Sequence, residues 1–289
     1  MINILRRFLI AYLFIATSSM TAAPVTAASE IYLGSVAMDV PAAMVKHLAP
    51  LTDYLSAKTG YHVSFRAAPN LSSAVTDLGM GNTQIAYLTP VAYIEAHEKY
   101  KVFPLVQPLT DGKPTFNLVI VVREDSPLTG PLGLRGKTFA FGDEKALLHR
   151  AVVVGSGVKL EELKSYAFLK HYDNVAKAVL HGDFDAGILR DTLAEKFRPE
   201  GLRIIHTSPD LPSYVFAVNK RMPKEAVAKF KQAFLDLKPD TPANRAILNA
   251  LDPGYSGFVS VKDRDYDTVR ELIAPFKKSD GKPGIQLRR

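Results

Sequence analysis

Strand and helix signals alternate along this chain in two successive runs, with an uninterrupted apolar segment between them. That rhythm constrains the fold more than any other feature, because alternating β and α elements build parallel sheets covered by helices on both faces. In the first run, residues 31–36 are apolar and β-rich, and 42–58 carry Met44, Leu48, Leu51 and Leu55 at helical spacing ahead of Gly60. Residues 62–67 alternate as a strand, and Asn70 offers an N-cap to a helix that runs to Met80 and closes at Gly81. A strand at 84–88, a helix opened by Pro90 and reaching Lys99, and a strand at 102–106 complete the run.

The separator at 116–123 reads Phe-Asn-Leu-Val-Ile-Val-Val-Arg between Pro114 and Pro127, the pattern of one buried strand. The rhythm then restarts, with strands at 138–141, 165–169, 185–189 and 202–206 and helices at 145–154, 174–181 and 192–198. A β-rich run at 213–219 precedes helical stretches at 224–237, 241–250 and 263–275, and the polar tail 278–289 is expected to fray or dock lightly. The chain therefore crosses between two α/β halves near 116–123 and again near 207–213. The expected architecture is two-lobed α/β, each lobe a mostly parallel sheet flanked by helices, joined by a two-crossing hinge. Lobe 1 is expected to begin with 29–118, lobe 2 to span 119–210, and 211–289 to return through the hinge as helices packing mainly on lobe 1. A hinge of this kind encloses a cleft that closes on a ligand. Open α/β sheets bind ligands beyond the carboxyl ends of their strands, which points to the loops at 36–41, 68–72, 88–93 and 142–149.

The first 28 residues read as a secretory signal peptide: Arg6 and Arg7, an apolar stretch from Phe8 to Ala16, and small residues ending Val25-Thr26-Ala27-Ala28. The apolar stretch falls short of the roughly 20 residues a bilayer span needs, and cleavage is expected after Ala27 or Ala28, with a retained N-terminal anchor as the other reading. Export to the periplasm follows. The chain has no cysteine, which excludes a lipid anchor at a cleavage-site cysteine and excludes disulfides, so its core must hold itself together. Of 36 basic residues Arg6 and Arg7 leave with the leader, so 34 basic against 29 acidic residues give the mature chain a net charge of +5. That excess suits an anionic ligand, but it is scattered and forms no stripe for nucleic acid.

The candidate contacts follow from the loops. Thr89 either caps the helix opened by Pro90 or donates its hydroxyl to a ligand. Tyr93, in the first turn of that helix, is either a hydroxyl donor or an aromatic at the rim of the core. Lys145 and His149, four residues apart, either hold an anion or form a solvated helix face. Arg190 follows a strand end, where it either presents a bidentate fork to an oxyanion or pairs with Asp191 or Asp185. The seven histidines show no metal-ligand spacing, no phosphate-cradling Gly-x-x-x-x-Gly-Lys loop is present, and Gly155-Ser156-Gly157 is not a nucleophile elbow. No cofactor, no metal and no enzymatic activity are expected.

Four stretches in register resemble the phosphate/phosphite/phosphonate-binding family of periplasmic solute-binding proteins. They are 48–63 with Thr59-Gly60-Tyr61, 81–93 with Gln84-Ile85-Ala86 and Pro90-Val91-Ala92-Tyr93, 117–143 with Leu132-Gly133-Leu134-Arg135-Gly136-Lys137, and 175–187 with Gly182-Asp183-Phe184-Asp185-Ala186-Gly187. The resemblance implies a type II periplasmic binding protein fold and a monomer that passes a small-molecule anion to an ABC transporter permease. A membrane sensor kinase is the alternative partner. It also implies ligand contacts at Tyr93, at Tyr172 in place of a family histidine, and at Asp191. One departure stands out. The family's Ser/Thr-rich anion loop is replaced here by Glu144-Lys145-Ala146-Leu147-Leu148-His149, which removes two or three hydroxyl donors.

Overall fold

The computed structural model describes residues 30–35 and 41–277; the leader, the loop at 36–40 with Met38 and Asp39, and the tail 278–289 lie outside the described residues. The first run forms β1 (Glu30–Ser35), α1 (Pro41–Thr59), β2 (His62–Ala67), α2 (Leu71–Met80), β3 (Ile85–Leu88), α3 (Pro90–Tyr100) and β4 (Phe103–Thr110). Local chemistry sets these boundaries. Asn70 Oδ1 accepts from Ser73 N at 2.9 Å, satisfying a donor that the first turn of α2 leaves free. Gly81 ends that helix at φ 89°, a left-handed conformation that a side chain would resist.

The second run forms β6 (Leu118–Arg123), β7 (Thr138–Phe141), α4 (Leu147–Gly155), β8 (Ser165–Phe168), α5 (Tyr172–Leu180), β9 (Ala186–Arg190), α6 (Asp191–Phe197) and β10 (Leu202–Thr207). These strands make a five-stranded sheet ordered β10-β6-β9-β7-β8. The six-stranded first sheet is ordered β13-β4-β12-β3-β1-β2, with β12 (Val215–Val218) and β13 (Tyr255–Ser260) contributed after the chain returns.

Parallel pairing is confined to β2-β1-β3 and to β8-β7-β9; every other pair is antiparallel. The sheets are thus mixed where the alternation predicts mostly parallel ones, and the crossings are the reason. β4 and β10 run in the direction of their parallel neighbours and leave their sheets at the carboxyl-end edge. The strands that follow, β6 and β12, enter the other sheet from that same edge and so run against its parallel strands.

The segment 116–123 is two strands, not one. It breaks at Asn117 into β5 (Thr115–Phe116) and β6, because Asn117 Nδ2 is drawn to the second crossing, donating to Ser208 O and to Asp210 Oδ1, each at 3.0 Å. β5 pairs antiparallel with β11 (Leu211–Pro212), placing Phe116 opposite Leu211. Ser208 N donates to Leu118 O at 2.9 Å, Leu118 N donates to Ser208 Oγ at 3.0 Å, and Ser213 N donates to Pro114 O at 3.0 Å. The two crossings are therefore bonded to each other along their length.

Other boundaries shift for local reasons. α4 starts at Leu147 rather than 145, because Asp143 Oδ1 accepts from Lys145 N at 2.8 Å and Asp143 O accepts from Ala146 N at 3.1 Å, folding 143–146 into a turn. α5 starts at Tyr172 rather than 174. The last helical stretch is a 3-10 turn at Asp263–Tyr266 followed by α9 (Asp267–Lys277). β13 carries no expectation from sequence, since its alternation is weak and it exists only as an edge partner of β4.

Of the helices after the second crossing, α7 (Lys224–Asp236) and α8 (Pro242–Leu251) pack on α1, whereas α9 packs on both α4 and α3. One apolar cluster accordingly runs through both halves, joining Tyr93 and Ile94 of α3 to Tyr266, Val269 and Ile273, and these to Leu148 and Val152 of α4. Burial of this kind contributes about 25 cal/mol per Å² of apolar surface, the main stabilising contribution available to a chain without disulfides.

The close approach of β9 to α5 needs a glycine. A Cβ on Gly187 would sit 2.6 Å from Val175 Cγ1 and 3.0 Å from Val179 Cγ2. Gly187→Ala is expected to lower stability by about 1–3 kcal/mol through overpacking, read as a lower urea midpoint with an unchanged m-value.

Candidate functional site

The antiparallel entry of β6, β12 and β13 has a chemical consequence. It places the carboxyl ends of β3 and β9, the starts of β12 and β13, and the first turns of α4 and α5 along the edge at which the chain crosses. Tyr87 near the end of β3, Arg190 at the end of β9, Tyr172 at the start of α5, Tyr214 just before β12 and Tyr255 at the start of β13 are among the polar side chains of that edge.

Arg190 is central to it. Its guanidinium lies over the Phe116 ring, 4.6 Å from the centroid, and its Nε is buried without a hydrogen-bond partner. Among the described residues no ion pair joins it to Asp191 or Asp185; Asp185 instead accepts from Thr138 N at 2.8 Å and from Thr138 Oγ1 at 2.9 Å. Asp191 donates its backbone N–H to Asn117 O at 3.0 Å, while its Oδ1 is buried and unpartnered. Unpaired buried polar atoms are costly, and adjacent residues carry them in two places, here at Arg190 and Asp191 and again at His149 Nδ1 and Arg150 Nε. Burial pushes the phenols of Tyr172, Tyr214 and Tyr255 upward, and the Arg190 charge opposes that rise on all three.

Tyr172 is partly buried and is held by His149, whose Nε2 lies 2.6 Å from the Tyr172 hydroxyl oxygen. The two rings are 5.3 Å apart. Gly142, immediately after β7, admits them: a Cβ there would meet His149 Cε1 at 3.2 Å and Tyr172 Cε1 at 3.6 Å. His149 is 7% exposed and its Nδ1 has no partner. Burial pushes its imidazole down to about 4; Arg150 adds to that shift and Asp143 opposes it.

The sequence-derived candidates are put to different uses. Thr89 Oγ1 accepts from Ala92 N at 3.2 Å, so it caps α3. Tyr93 is fully buried, packs 4.6 Å from Tyr266 and donates its hydroxyl to Asp263 Oδ1 at 2.7 Å, tying α3 to the turn before α9. Lys145 is exposed in the turn ahead of α4, whereas His149 is buried and bonded to Tyr172. Arg190, Asp191 and Tyr172 do come together at the crossing edge. Sequence reasoning missed the tyrosines opposite them. Tyr87 shares a short hydroxyl–hydroxyl bond with Tyr255, and its ring lies 5.2 Å from that of Tyr214. The one available signal was Tyr214, a partly exposed aromatic inside the second crossing. Among the described residues no group of three or more His, Cys, Asp or Glu is placed to hold a metal, and no helix is long and apolar enough to cross a membrane.

A family model for the periplasmic substrate-binding protein of phosphonate ABC transporters matches residues 33–266. The chain belongs to that family. This phosphonate-transporter family member is 27% identical over 251 residues to the phosphate-import protein PhnD of Mycolicibacterium smegmatis, an alignment covering 77% of this chain and 78% of the relative. PhnD1 of Prochlorococcus marinus, solved in complex with methylphosphonate, matches with a TM-score of 0.69 at 18% identity, over 86% of this chain and 99% of the other. XAC2383 of Xanthomonas citri, solved with bound ATP, matches with a TM-score of 0.72 at 20% identity, over 89% and 100%. The fold is that of the type II periplasmic binding proteins, as the family resemblance implies. The protein is accordingly a substrate-binding component of an ABC importer, not an enzyme; its family works in the periplasm and serves a membrane permease.

The buried neutral imidazole makes stability pH-dependent. His149 has a folded pKa below the unfolded value near 6.5, so its contribution is complete above about pH 6.5 and is lost as pH falls toward 4. Between pH 7 and 4.5 the wild-type protein is expected to lose about 2–3 kcal/mol more than His149→Gln, measured by urea unfolding at each pH. Equal losses would show that His149 does not titrate with folding.

Proposed function

We propose that this protein captures a small oxyanion of the phosphate, phosphite or phosphonate type at the crossing edge, closes its two lobes over it, and presents the closed form to the permease. The observation that carries the reading is the buried Arg190 Nε without a partner, at the end of β9 and beside Tyr172 and Tyr214. A guanidinium in that state favours an anion, which it binds with charge-assisted hydrogen bonds.

A helix start adds to it. α5 begins without a side-chain cap at His171, which leaves the N–H groups of Tyr172 and Asp173 in its first turn to donate, whereas the start of α4 is closed on itself, Leu147 N donating to Lys145 O at 3.0 Å and His149 N to Ala146 O at 3.2 Å. These backbone donors, with Tyr172 and Arg190, stand in for the hydroxyls that Ala146 and Leu147 cannot supply. The unpartnered Asp191 Oδ1 favours an oxyanion that still carries one proton, since a fully ionised one would repel it.

Closure needs contacts from both sides, because a ligand shifts an equilibrium only by its differential affinity for the two states. Arg190 and Tyr172 act from residues 119–210, and Tyr214 with Tyr87 behind it from 29–118 and 211–289. The paired β5 and β11 strands are the pivot.

A thermal-shift screen of phosphate, phosphite, methylphosphonate, sulfonates and small organic acids tests this reading. An oxyanion at a hundred times its dissociation constant adds about 2.7 kcal/mol, or roughly 5–10 °C in Tm for a chain of this size. Arg190→Ala is expected to abolish the shift. Stabilisation by neutral or cationic compounds alone would contradict the oxyanion reading.

A further inference from the structure

We propose that His149 is a positioning residue: its Nε2–H donates to the Tyr172 hydroxyl oxygen and so leaves the Tyr172 proton free to be given to the bound anion. The inference rests on the reading that Tyr172 faces that anion.

The geometry permits two arrangements of the 2.6 Å bond. In one, the imidazole proton sits on Nδ1 and Tyr172 donates to Nε2. A buried N–H would then have no acceptor, because Nδ1 is without a partner, and the tyrosine would offer the ligand only a lone pair. In the other, the proton sits on Nε2. The orphan at Nδ1 is then a lone pair, a cheaper loss than a buried donor left unpaired. Tyr172 accepts from His149 and must spend its own proton elsewhere.

The groups that bear on Tyr172 are Arg190 on β9 and Tyr214 on the second crossing. The guanidinium has no lone pair to accept with. An oxyanion lodged beside Arg190 does, and a fixed phenolic donor there replaces a hydroxyl that the turn before α4 lacks. The bond is also well fixed in space. His149 is 7% exposed on α4, and its ring lies in the space that Gly142 leaves, where an added Cβ would stand 3.2 Å from Cε1. The imidazole therefore has little room to turn. Asp143 and Arg150 are the charged groups that act on it; burial, helped by Arg150, outweighs Asp143 and keeps it neutral.

Two measurements on the full chain decide the matter. Long-range ¹H–¹⁵N correlation on histidine-labelled protein at pH 7, with His149 assigned by its absence in His149→Gln, is expected to show the Nε2–H tautomer. An Nδ1–H tautomer would overturn the proposal. In parallel, calorimetric titration with methylphosphonate is expected to show His149→Phe and Tyr172→Phe each weakening binding about tenfold or more, with the double variant no worse than either. His149→Gln, whose amide also donates, is expected to bind within about threefold of wild type. Wild-type affinity in His149→Phe, or no rescue by glutamine, would reduce His149 to a space-filling role. Should the wild-type protein bind no oxyanion, the functional reading falls and takes this proposal with it, while the tautomer still reports on the bond itself.

Discussion

The hydrogen-bonded pairing of the two crossing segments is the constraint on which the rest of the structure depends. A chain that passes once between two sheets leaves their relative placement open. Here it passes twice, and the passages bond to each other through β5 and β11, through Ser208 and Leu118, and through Asn117 to Asp210. That pairing forces β6 and β12 to enter their sheets against the parallel strands. It thereby brings the carboxyl ends of β3 and β9 to one edge, and with them Tyr87 and Arg190. The break at Asn117 that interrupts an otherwise continuous apolar run is part of the same arrangement.

Polar groups collected at such an edge are costly unless they are paired or await a partner. Most are paired. Tyr87 is bonded to Tyr255, His149 to Tyr172, and Asn117 to the second crossing. Arg190 Nε, Asp191 Oδ1 and His149 Nδ1 are not paired, and neither are Thr110 Oγ1 at the end of β4 and Arg150 Nε next to His149. If Arg190 binds the ligand as proposed, its unpartnered Nε among bonded tyrosines makes a site organised in advance, which limits the ordering cost of binding. α9, clamped to α3 through Asp263 and Arg270 and packed on α4, ties the two halves together at a second place.

Local chemistry was legible in the sequence. Asn70 and Gly81 bound α2 as their residue types dictate, and Pro90 opens α3 behind its threonine cap. Family membership and fold were legible too, from stretches spread along the chain. What could not be read were choices made by distant partners. Tyr93 stands in the first turn of a helix that begins at a strand end, which is where ligands bind, yet its hydroxyl is taken by Asp263, 170 residues away. Tyr87 and Tyr255 are 168 residues apart, and Asn117 and Ser208 are 91 apart. His149 is four residues from Lys145, a spacing that puts both on one helix face, but the helix begins only at Leu147 and the pair separates. Antiparallel strands inside an alternating pattern, and the edge strand β13, follow from topology that no local signal encodes.

A crystal structure with an anomalously scattering oxyanion tests the central claim most directly. With arsenate, the account predicts one strong anomalous peak at the arsenic, about 4 Å from donor groups on both Arg190 and Tyr172 whose hydrogen bonds run to its oxygens, with Tyr214 on the opposite side. A peak away from this edge, or an empty edge with Arg190 turned onto Asp191, would contradict it.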